Sequence, residues 1–177
     1  RWLSNDKRVN DFVKSLVEFY RIGLNQGESI TTVGREMEMV NAYINVERAA
    51  FGDDFTYTAD ISEEASDGRI IKNSIQPIVE NAFMHGINGM GDEGCIKVSV
   101  TYDGENIKIC VCDNGRGMNE ECVSAILGGR ALSRTSGYGM KNVIARLKNY
   151  YGDDYTLEIE SGEGKGTTVR MILKRLD

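Results

Sequence analysis

The sequence predicts an α+β protein, a two-layer α/β sandwich in which helices cover one face of a mixed, mostly antiparallel sheet. Two pairs of strand-like runs indicate this. Alternating residues at 97–102 and 106–113 are joined by the turn residues DGE, which is typical of a β-hairpin. A second pair at 155–161 and 167–175 flanks GEGKG. Segments with helical spacing lie before and between these pairs, which favours a layered fold.

The composition is that of an ordinary globular domain. The chain has 177 residues, of which 41% are hydrophobic and 27% charged, with a formal net charge of −6. This length allows one domain with a core and some additional helix. The acidic balance, without a basic run, argues against nucleic-acid binding or a polybasic membrane patch. No apolar run approaches the roughly 18 to 20 residues that a membrane span needs.

The N-terminal part of the chain is predicted to be helical. Apolar residues at spacings of three and four predict a helix over 6–24, and the stretch LNQGES ends it. Thr31 or Thr32 is a candidate cap for a second helix that ends near Gly52. Because the first residue is Arg1 rather than methionine, we expect the chain to be a fragment of a longer protein.

The character of the sequence changes after this helical part. FTYTADI at 55–61 alternates like a strand. We therefore divide the chain into a helical segment, residues 1–52, and a second unit, residues 53–177. The four cysteines lack the spacing and the histidine partners of a zinc site, so we expect free thiols.

Residues 69–87 are predicted to form one amphipathic helix that contains the stretch QPIVENAFMHGIN. On a helical wheel its isoleucines face inward, while Glu80 and Asn81 lie on the polar front. A solvated outer face is the common explanation for such a pattern. However, asparagine is a mediocre helix former, and Pro77 costs about 3 kcal/mol inside a helix unless it lies in the first turn. These residue choices also fit a functional face.

Two glycine clusters follow downstream. In DNGRGM, Asp113 ends a strand and precedes Gly115 and Gly117, which allow the backbone to approach a flat or anionic ligand closely. An ordinary Asn-Gly turn would explain the same letters. GYGMKN at 137–142 opens a helix, whose N-terminus favours anions. A P-loop motif is absent from the sequence, and Asn142 breaks the dinucleotide-binding fingerprint.

Taken in this order, the motifs resemble the ATP-binding domain of bacterial sensor histidine kinases, a group shared with gyrase, Hsp90 and MutL. QPIVENAFMHGI resembles the N box, DNGRGM the first glycine box, GYGMKNVIARL the second, and GKGTTV the closing strand motif. The residues of the N box and of the preceding helix are most similar to those of the LytS/YesM branch. The resemblance extends from about Phe19 to Leu173 and implies a Bergerat-type fold.

The resemblance implies a binding site for ATP and Mg²⁺. Asn81 would bind the metal as a hard oxygen donor. Glu80 and His85 are the implied catalytic residues: Glu80 would polarise the accepting histidine or orient Asn81, and His85 would lie near the phosphates. Asp113 would bind the adenine amine, with Thr168 in support. The implied nucleotide-binding residues are Asn81, Asp113, Gly115, Gly117, Met118, Arg134, Gly137, Gly139, Met140, Lys141 and Thr168.

Two positions depart from the family pattern. A lysine that many histidine kinases place three residues after the metal-binding asparagine is Met84 here. The lost phosphate contact could come instead from Arg130, Arg134 or Lys141. The glutamate that activates water in ATP-hydrolysing relatives is Pro77, which has no titratable group. The site is therefore expected to favour phosphoryl transfer to a protein over hydrolysis.

The implied function is that of the catalytic domain of a two-component histidine kinase. It would phosphorylate a histidine upstream of this chain, and the phosphoryl group would pass to an aspartate of a response regulator. The parent would be a homodimer anchored in a membrane, with this part in the cytoplasm and not membrane-inserted. His85 is not expected to be the phosphoacceptor, so the chain should bind ATP without phosphorylating itself. Residues 118–137 would form a lid over the nucleotide.

Two alternative functions stay open at this point. A non-catalytic, nucleotide-sensing module of the same fold is favoured by Met84. A serine kinase of the anti-sigma-factor type is disfavoured by the helices before residue 52, because that class needs no long helix leading into the domain.

Overall fold

The computed structural model describes residues 2–24, 29–52, 54–128 and 138–176. These residues confirm the predicted fold class, with helices packed against a mixed five-stranded sheet. The strands are β1 (Ile30–Thr32), β2 (Thr56–Ile61), β3 (Arg69–Ile71), β4 (Cys95–Tyr102), β5 (Asn106–Asp113), β6 (Tyr155–Ser161) and β7 (Thr167–Lys174). The α-helices are α1 (Trp2–Leu24), α2 (Val33–Phe51), α3 (Glu63–Ser66), α4 (Gln76–Asn81), α5 (Glu120–Leu127) and α6 (Tyr138–Tyr151).

The main sheet has the strand order β2-β4-β5-β7-β6. Only β2 and β4 run parallel, and the other neighbouring pairs are antiparallel. Both predicted hairpins are confirmed, since β4 pairs with β5 and β6 pairs with β7. The short strands β1 and β3 form a separate antiparallel pair.

The hydrophobic core lies between the sheet and the helices. Alternate residues of β4, β5 and β7 point into it, including Val98, Val111 and Val169, each at most 6% exposed. The helix α2 contributes Val40 and Ile44 to the same buried cluster, at 0% and 1% exposed. The core therefore extends across residue 52, where the character of the sequence changes.

The first two helices form largely where the sequence predicts them. Thr32 caps α2, because its side-chain hydroxyl accepts a hydrogen bond from the Arg35 N–H at 3.3 Å. Gly52 ends α2 with a φ of 106°, a conformation that favours glycine. The helix α1 packs along α2. Within the part of the chain that the structure describes, no helix is both long and apolar enough to cross a membrane.

The prediction of one continuous helix over 69–87 is wrong at its N-terminal end. The segment begins with β3, which pairs with β1, and then turns at Asn73. Asn73 has a φ of 58°, a left-handed conformation that ends a strand but cannot continue a right-handed helix. The helix α4 starts only at Gln76, and a π-helical segment, Ala82–Ile87, continues it.

Candidate functional site

A cavity of about 280 Å³ opens between the sheet and the helices α4, α5 and α6. Most of its wall is apolar, and a few polar groups converge on it, which is the usual character of a small-molecule site. The polar side chains at the wall are Asn81, His85, Asp113 and Thr167. The apolar wall is formed by Ile78, Ala82, Val111, Met118, Cys122, Ile126, Met140, Ile159 and Val169.

Asp113 lies at the C-terminal end of β5 and is 6% exposed. Its Oδ1 accepts a hydrogen bond from the Gly115 N–H at 2.8 Å. Burial raises the pKa of Asp113, although backbone hydrogen bonds from Gly115 and Thr167 oppose the shift. A hydrogen-bond donor bound in the cavity would further favour the ionised form of Asp113.

Glycines surround Asp113 because there is no room for side chains. A Cβ at Gly86 would lie 2.8 Å from Asp113 Oδ1, and a Cβ at Gly115 would lie 2.2 Å from the Gly86 carbonyl carbon. Gly166 has a φ of 77°, and a Cβ there would lie 2.0 Å from the Asp113 carbonyl oxygen. Gly117, with a φ of 66°, is packed as closely against the loop between β6 and β7. The first glycine box is therefore fixed against two neighbouring backbones.

Asn81, at the end of α4, is oriented by Pro77. Its Nδ2 donates a hydrogen bond to the Pro77 carbonyl oxygen at 2.7 Å. A carbonyl can only accept, so the amide must turn its nitrogen to Pro77, and Oδ1 remains for a ligand. Pro77 lies in the first turn of α4, where the missing N–H breaks no helical hydrogen bond. The proline is thus compatible with the helix and fixes the asparagine.

The N-terminal turn of α6 approaches Asn81. A Cβ added at Gly139 would lie 3.1 Å from Asn81 Nδ2, so the glycine allows this approach. The Asn81 amide and the first turn of α6 therefore lie together at one end of the cavity. The N–H groups at a helix N-terminus favour anions. This combination suits a metal-bound anion.

Glu80 and His85 flank Asn81 on the outer side of this helix. Both are exposed, and His85 also lines the cavity. Partial burial of its carboxyl raises the pKa of Glu80, and the nearby His85 opposes that shift. On the facing helix α2, burial raises the pKa of Glu47, and the charge of Glu80 raises it further. Glu80 therefore lies between His85 and Glu47.

Thr168 is not at the cavity. Its hydroxyl donates to the Cys112 Sγ at 3.3 Å, on the opposite face of the sheet. The strand neighbour of Asp113 on the cavity face is Thr167. Side chains of a strand alternate between faces, so adjacent threonines cannot both face the cavity. The supporting position beside Asp113 belongs to Thr167, and the prediction for Thr168 is corrected accordingly.

Ser161 joins three parts of the site and was not predicted. Its Oγ accepts a hydrogen bond from the Met118 N–H at 2.8 Å and donates to the Gly166 carbonyl oxygen at 3.0 Å. It also lies 2.9 Å from Thr167 Oγ1. The serine thus ties the first glycine box to the β6–β7 hairpin. Its position at the end of β6, beside GEGKG, was the available signal.

The remaining predicted residues fall into three groups. Met118 and Met140 line the cavity, and Met140 is 5% exposed. Met84 and Lys141 are exposed, and neither lines the cavity. Arg130, Arg134, Gly137 and the other residues of 129–137 lie outside the described residues, whereas the first part of the predicted lid, 118–128, is described and contains α5.

Comparison with known proteins identifies the family. The model of the Histidine kinase-, DNA gyrase B-, and HSP90-like ATPase family matches residues 66–177, and a second model, described as Histidine kinase, matches residues 1–55. The chain belongs to the histidine kinases of this ATPase family. Its fold is accordingly that of an ATP-binding domain.

Several curated histidine kinases are similar along almost the whole chain. BtsS of Escherichia coli is 30% identical over 169 residues, which are 96% of this chain and 28% of that protein. LytS of Oceanobacillus iheyensis is 28% identical and YesM of Bacillus subtilis 29%, over 94% and 95% of this chain. The LytS/YesM-like branch is thereby supported. The chain spans less than a third of the length of these relatives.

Solved structures agree in fold at low sequence identity. The mycobacterial sensor histidine kinase MprB aligns with a TM-score of 0.62 at 12% identity, over 82% of this chain and 96% of that one. The catalytic domain of histidine kinase ThkA aligns with a TM-score of 0.56 at 17% identity, over 82% and 94% of the two chains.

Replacement of Gly86 by alanine should destabilise the site. The new methyl group would lie 2.8 Å from Asp113 Oδ1, so the carboxylate or the π-helical segment must shift. We expect a loss of about 1 to 3 kcal/mol in the free energy of unfolding, measured by urea denaturation.

The control is Gly23→Ala in α1. A Cβ there meets only Met39 Cε, at 3.6 Å, so alanine fits. Since alanine is the better helix former, stability should stay equal or rise by up to about 1 kcal/mol. If Gly86→Ala is as stable as the wild type, the close packing around Asp113 is not as tight as the distances indicate.

Proposed function

We propose that this chain is the ATP-binding catalytic part of a two-component sensor histidine kinase, which transfers the γ-phosphoryl group of ATP to a histidine. One observation carries the proposal. A single apolar cavity has a buried carboxylate, Asp113, on its wall and the oriented amide oxygen of Asn81 beside a helix N-terminus. The first suits the adenine amine and the second suits Mg²⁺-bound phosphates.

Asn81 is the metal ligand in this proposal. Its Oδ1 is a neutral hard oxygen, and its Nδ2 is already engaged by Pro77. Mg²⁺ is commonly bound through few protein ligands together with substrate phosphates, so one asparagine is sufficient as the protein contribution. When bound, the metal neutralises charge on the transferring phosphoryl group. The N–H groups at the start of α6, around Gly139 and Met140, then contact the phosphates.

Glu80 and His85 act on the accepting side. Both are exposed next to Asn81, where an incoming histidine of another segment can reach them. Glu80 accepts a hydrogen bond from Gln76 Nε2 at 3.2 Å, which orients its carboxylate. A raised pKa makes the Glu80 carboxylate a stronger base for polarising the accepting imidazole.

The organisation of the parent protein is part of the proposal. Residues 1–52 continue the dimerisation region, and residues 53–177 form the catalytic domain. The parent is a homodimer anchored in a membrane, with this part in the cytoplasm, and its partner is a response regulator. The support for a dimer is an exposed apolar stripe on α1. It consists of Val9, Val13, Val17 and Tyr20, which are 49 to 62% exposed.

A non-catalytic nucleotide-sensing module is the second candidate. Met84 is 44% exposed and stands where many relatives have a phosphate-binding lysine. A kinase without that cation binds the phosphates less firmly. Only a transfer experiment separates the two functions, because both bind ATP.

Asp113→Asn should abolish most of the nucleotide affinity. We expect wild type to bind ATP with Mg²⁺ at roughly −6 to −7 kcal/mol, or tens of micromolar, in calorimetric titration. Loss of the charged acceptor should cost about 1.5 to 3 kcal/mol, which is tenfold or more. Wild-type affinity should also fall at acid pH, since protonation of Asp113 at its raised pKa removes the acceptor.

The matched control is Asp103→Asn, which removes the same charge on an exposed hairpin turn. Asp103 accepts hydrogen bonds from the N–H groups of Glu105 and Asn106, far from the cavity wall. Its ATP affinity should stay within twofold of wild type. Equal loss in both variants, or none in Asp113→Asn, would contradict the adenine site.

Phosphotransfer should separate the candidate functions. The chain is incubated with γ-labelled ATP and a LytS/YesM-type acceptor dimer that retains its phosphoacceptor histidine but lacks a working nucleotide site. We expect acid-labile phosphate on the acceptor and none on this chain. Acid-stable phosphate would indicate a serine kinase. ATP binding without any transfer would indicate the sensing module.

The apolar stripe on α1 should hold the dimer of the parent protein together. Val13→Asp with Val17→Asp places two charges in the buried interface, which is strongly unfavourable. We expect the parent to sediment as a monomer. Lys14→Asp, on the polar face of the same helix, should leave it dimeric; a dimer in both variants would exclude this face.

A further inference from the structure

Glu36 of α2 is a buried carboxylate that the proposed chemistry does not use. It is 2% exposed, and both of its oxygens accept backbone hydrogen bonds. Oε1 accepts from the Asn73 N–H at 2.6 Å, and Oε2 accepts from the N–H groups of Ser74 and Ile75 at 3.0 Å each. These charge-assisted bonds hold the turn that leads into α4, some 37 to 39 residues away in sequence.

Among the described residues, Glu36 is the acceptor found for the N–H groups of Asn73, Ser74 and Ile75. Ile75, the residue before α4, makes no side-chain capping hydrogen bond, and Pro77 has no N–H. Asn73 is the only non-glycine residue with a positive φ in the described ranges. Its left-handed conformation turns successive N–H groups to one side, where they converge on the Glu36 carboxylate. Ser74 closes the turn by donating to the Ile71 carbonyl oxygen at 2.7 Å.

The held turn is only a few residues from the metal-binding position. The helix α4 has six residues, Gln76–Asn81, and begins directly after Ile75. The Pro77 carbonyl that orients the Asn81 amide belongs to its first turn. A shift of that first turn therefore moves both the helix axis and the carbonyl on which the orientation of Asn81 depends.

Glu36 itself is fixed to a different part of the molecule. It lies in the first turn of α2, and α1 packs along α2. Both helices fall within residues 1–55, which match the Histidine kinase model, whereas Asn81 lies in the ATPase match. One carboxylate thus joins the two matched regions at the metal-binding helix.

We propose that Glu36 is a positioning residue for the phosphate end of the nucleotide site. From α2 it fixes the position of the first turn of α4, and through the Pro77 carbonyl in that turn it fixes the direction of the metal-binding oxygen of Asn81. A displacement of α2 relative to the sheet is thereby relayed to the metal ligand without altering the adenine end around Asp113. The inference rests on the proposed function in so far as it names the bound metal.

The first test compares nucleotide affinity with and without metal. Glu36→Gln keeps the length of the side chain but places an amide nitrogen opposite N–H donors. The Mg²⁺-dependent gain in ATP affinity, measured against EDTA, should fall about tenfold, as it does when groups behind a metal ligand are removed. The Mg²⁺-free affinity should stay within twofold, because Asp113 is untouched. Asn81→Ala removes the proposed metal ligand itself and shows the result expected when the Mg²⁺-dependent increase in ATP affinity is lost completely.

Val40→Ala is the matched control. Val40 lies in the same helix at 0% exposed and makes no hydrogen bond to the turn, so alanine loosens α2 through packing alone. It should lower stability but leave the Mg²⁺-dependent gain unchanged. Equal loss of the gain in Val40→Ala, or equal loss of metal-free and metal-dependent affinity in Glu36→Gln, would overturn the proposal.

The second test needs no nucleotide. The Asn81 side-chain amide gives its own NMR signals, and its hydrogen bond to Pro77 protects it from rapid exchange with solvent. Glu36→Gln should shift these signals and speed exchange, whereas Val40→Ala should not. An unchanged Asn81 amide in Glu36→Gln refutes the proposal. A changed amide in a protein that does not bind ATP would support the positioning role and refute the proposed function alone.

Discussion

The packing of the Asp113 carboxylate against glycine backbone sets the position of everything else in the cavity. Gly86 belongs to the π-helical segment after α4, and Gly166 opens β7, so three elements meet at one acid. The position of Asp113 is fixed because β5 pairs with both β4 and β7, and the other two elements pack against it there. The π-helical segment widens the helix where it reaches this point, a feature common at functional sites. The end of the cavity where the proposal places adenine is therefore closely packed.

The hairpins and the order of the motifs could be predicted from sequence because their signals are local. The alternation of apolar and polar residues predicted the bounds of β4, β5, β6 and β7 to within two residues. The first glycine box comes directly after the end of β5 in the sequence. The error over 69–87 has a physical reason. Ile70 and Ile71 are apolar and fit a helical wheel, but pairing with β1 makes residues 69–71 a strand. That pairing is long-range, and no periodicity within the segment reveals it.

The prediction of Thr168 in place of Thr167 shows a different limit of sequence-based prediction. The motif contains two adjacent threonines, and the resemblance implied Thr168 as the one beside Asp113. The strand itself contained the answer, since Val169, Met171 and Leu173 are buried and share the alternation of Thr167. Glu36, by contrast, was beyond sequence reasoning. A glutamate in the first turn of a helix is usually explained by its favourable interaction with the helix dipole. Its hydrogen bond to Asn73, 37 residues away in sequence, is visible only in the folded structure.

A helix as short as α4 has little stability of its own, so neighbouring elements must fix its orientation. Beyond the C-terminal end of α4, the π-helical segment packs against Asp113 of β5 and against Gly115, which lies in the loop after β5. The N-terminal end of α4 is held by Glu36, which belongs to α2. Asn81 lies between these two attachments. In the proposed function, Asn81 held in this way would stay in register with the bound base while its oxygen follows the movement of α2. This arrangement would allow a signal from the upstream helices to change phosphoryl transfer without changing recognition of adenine.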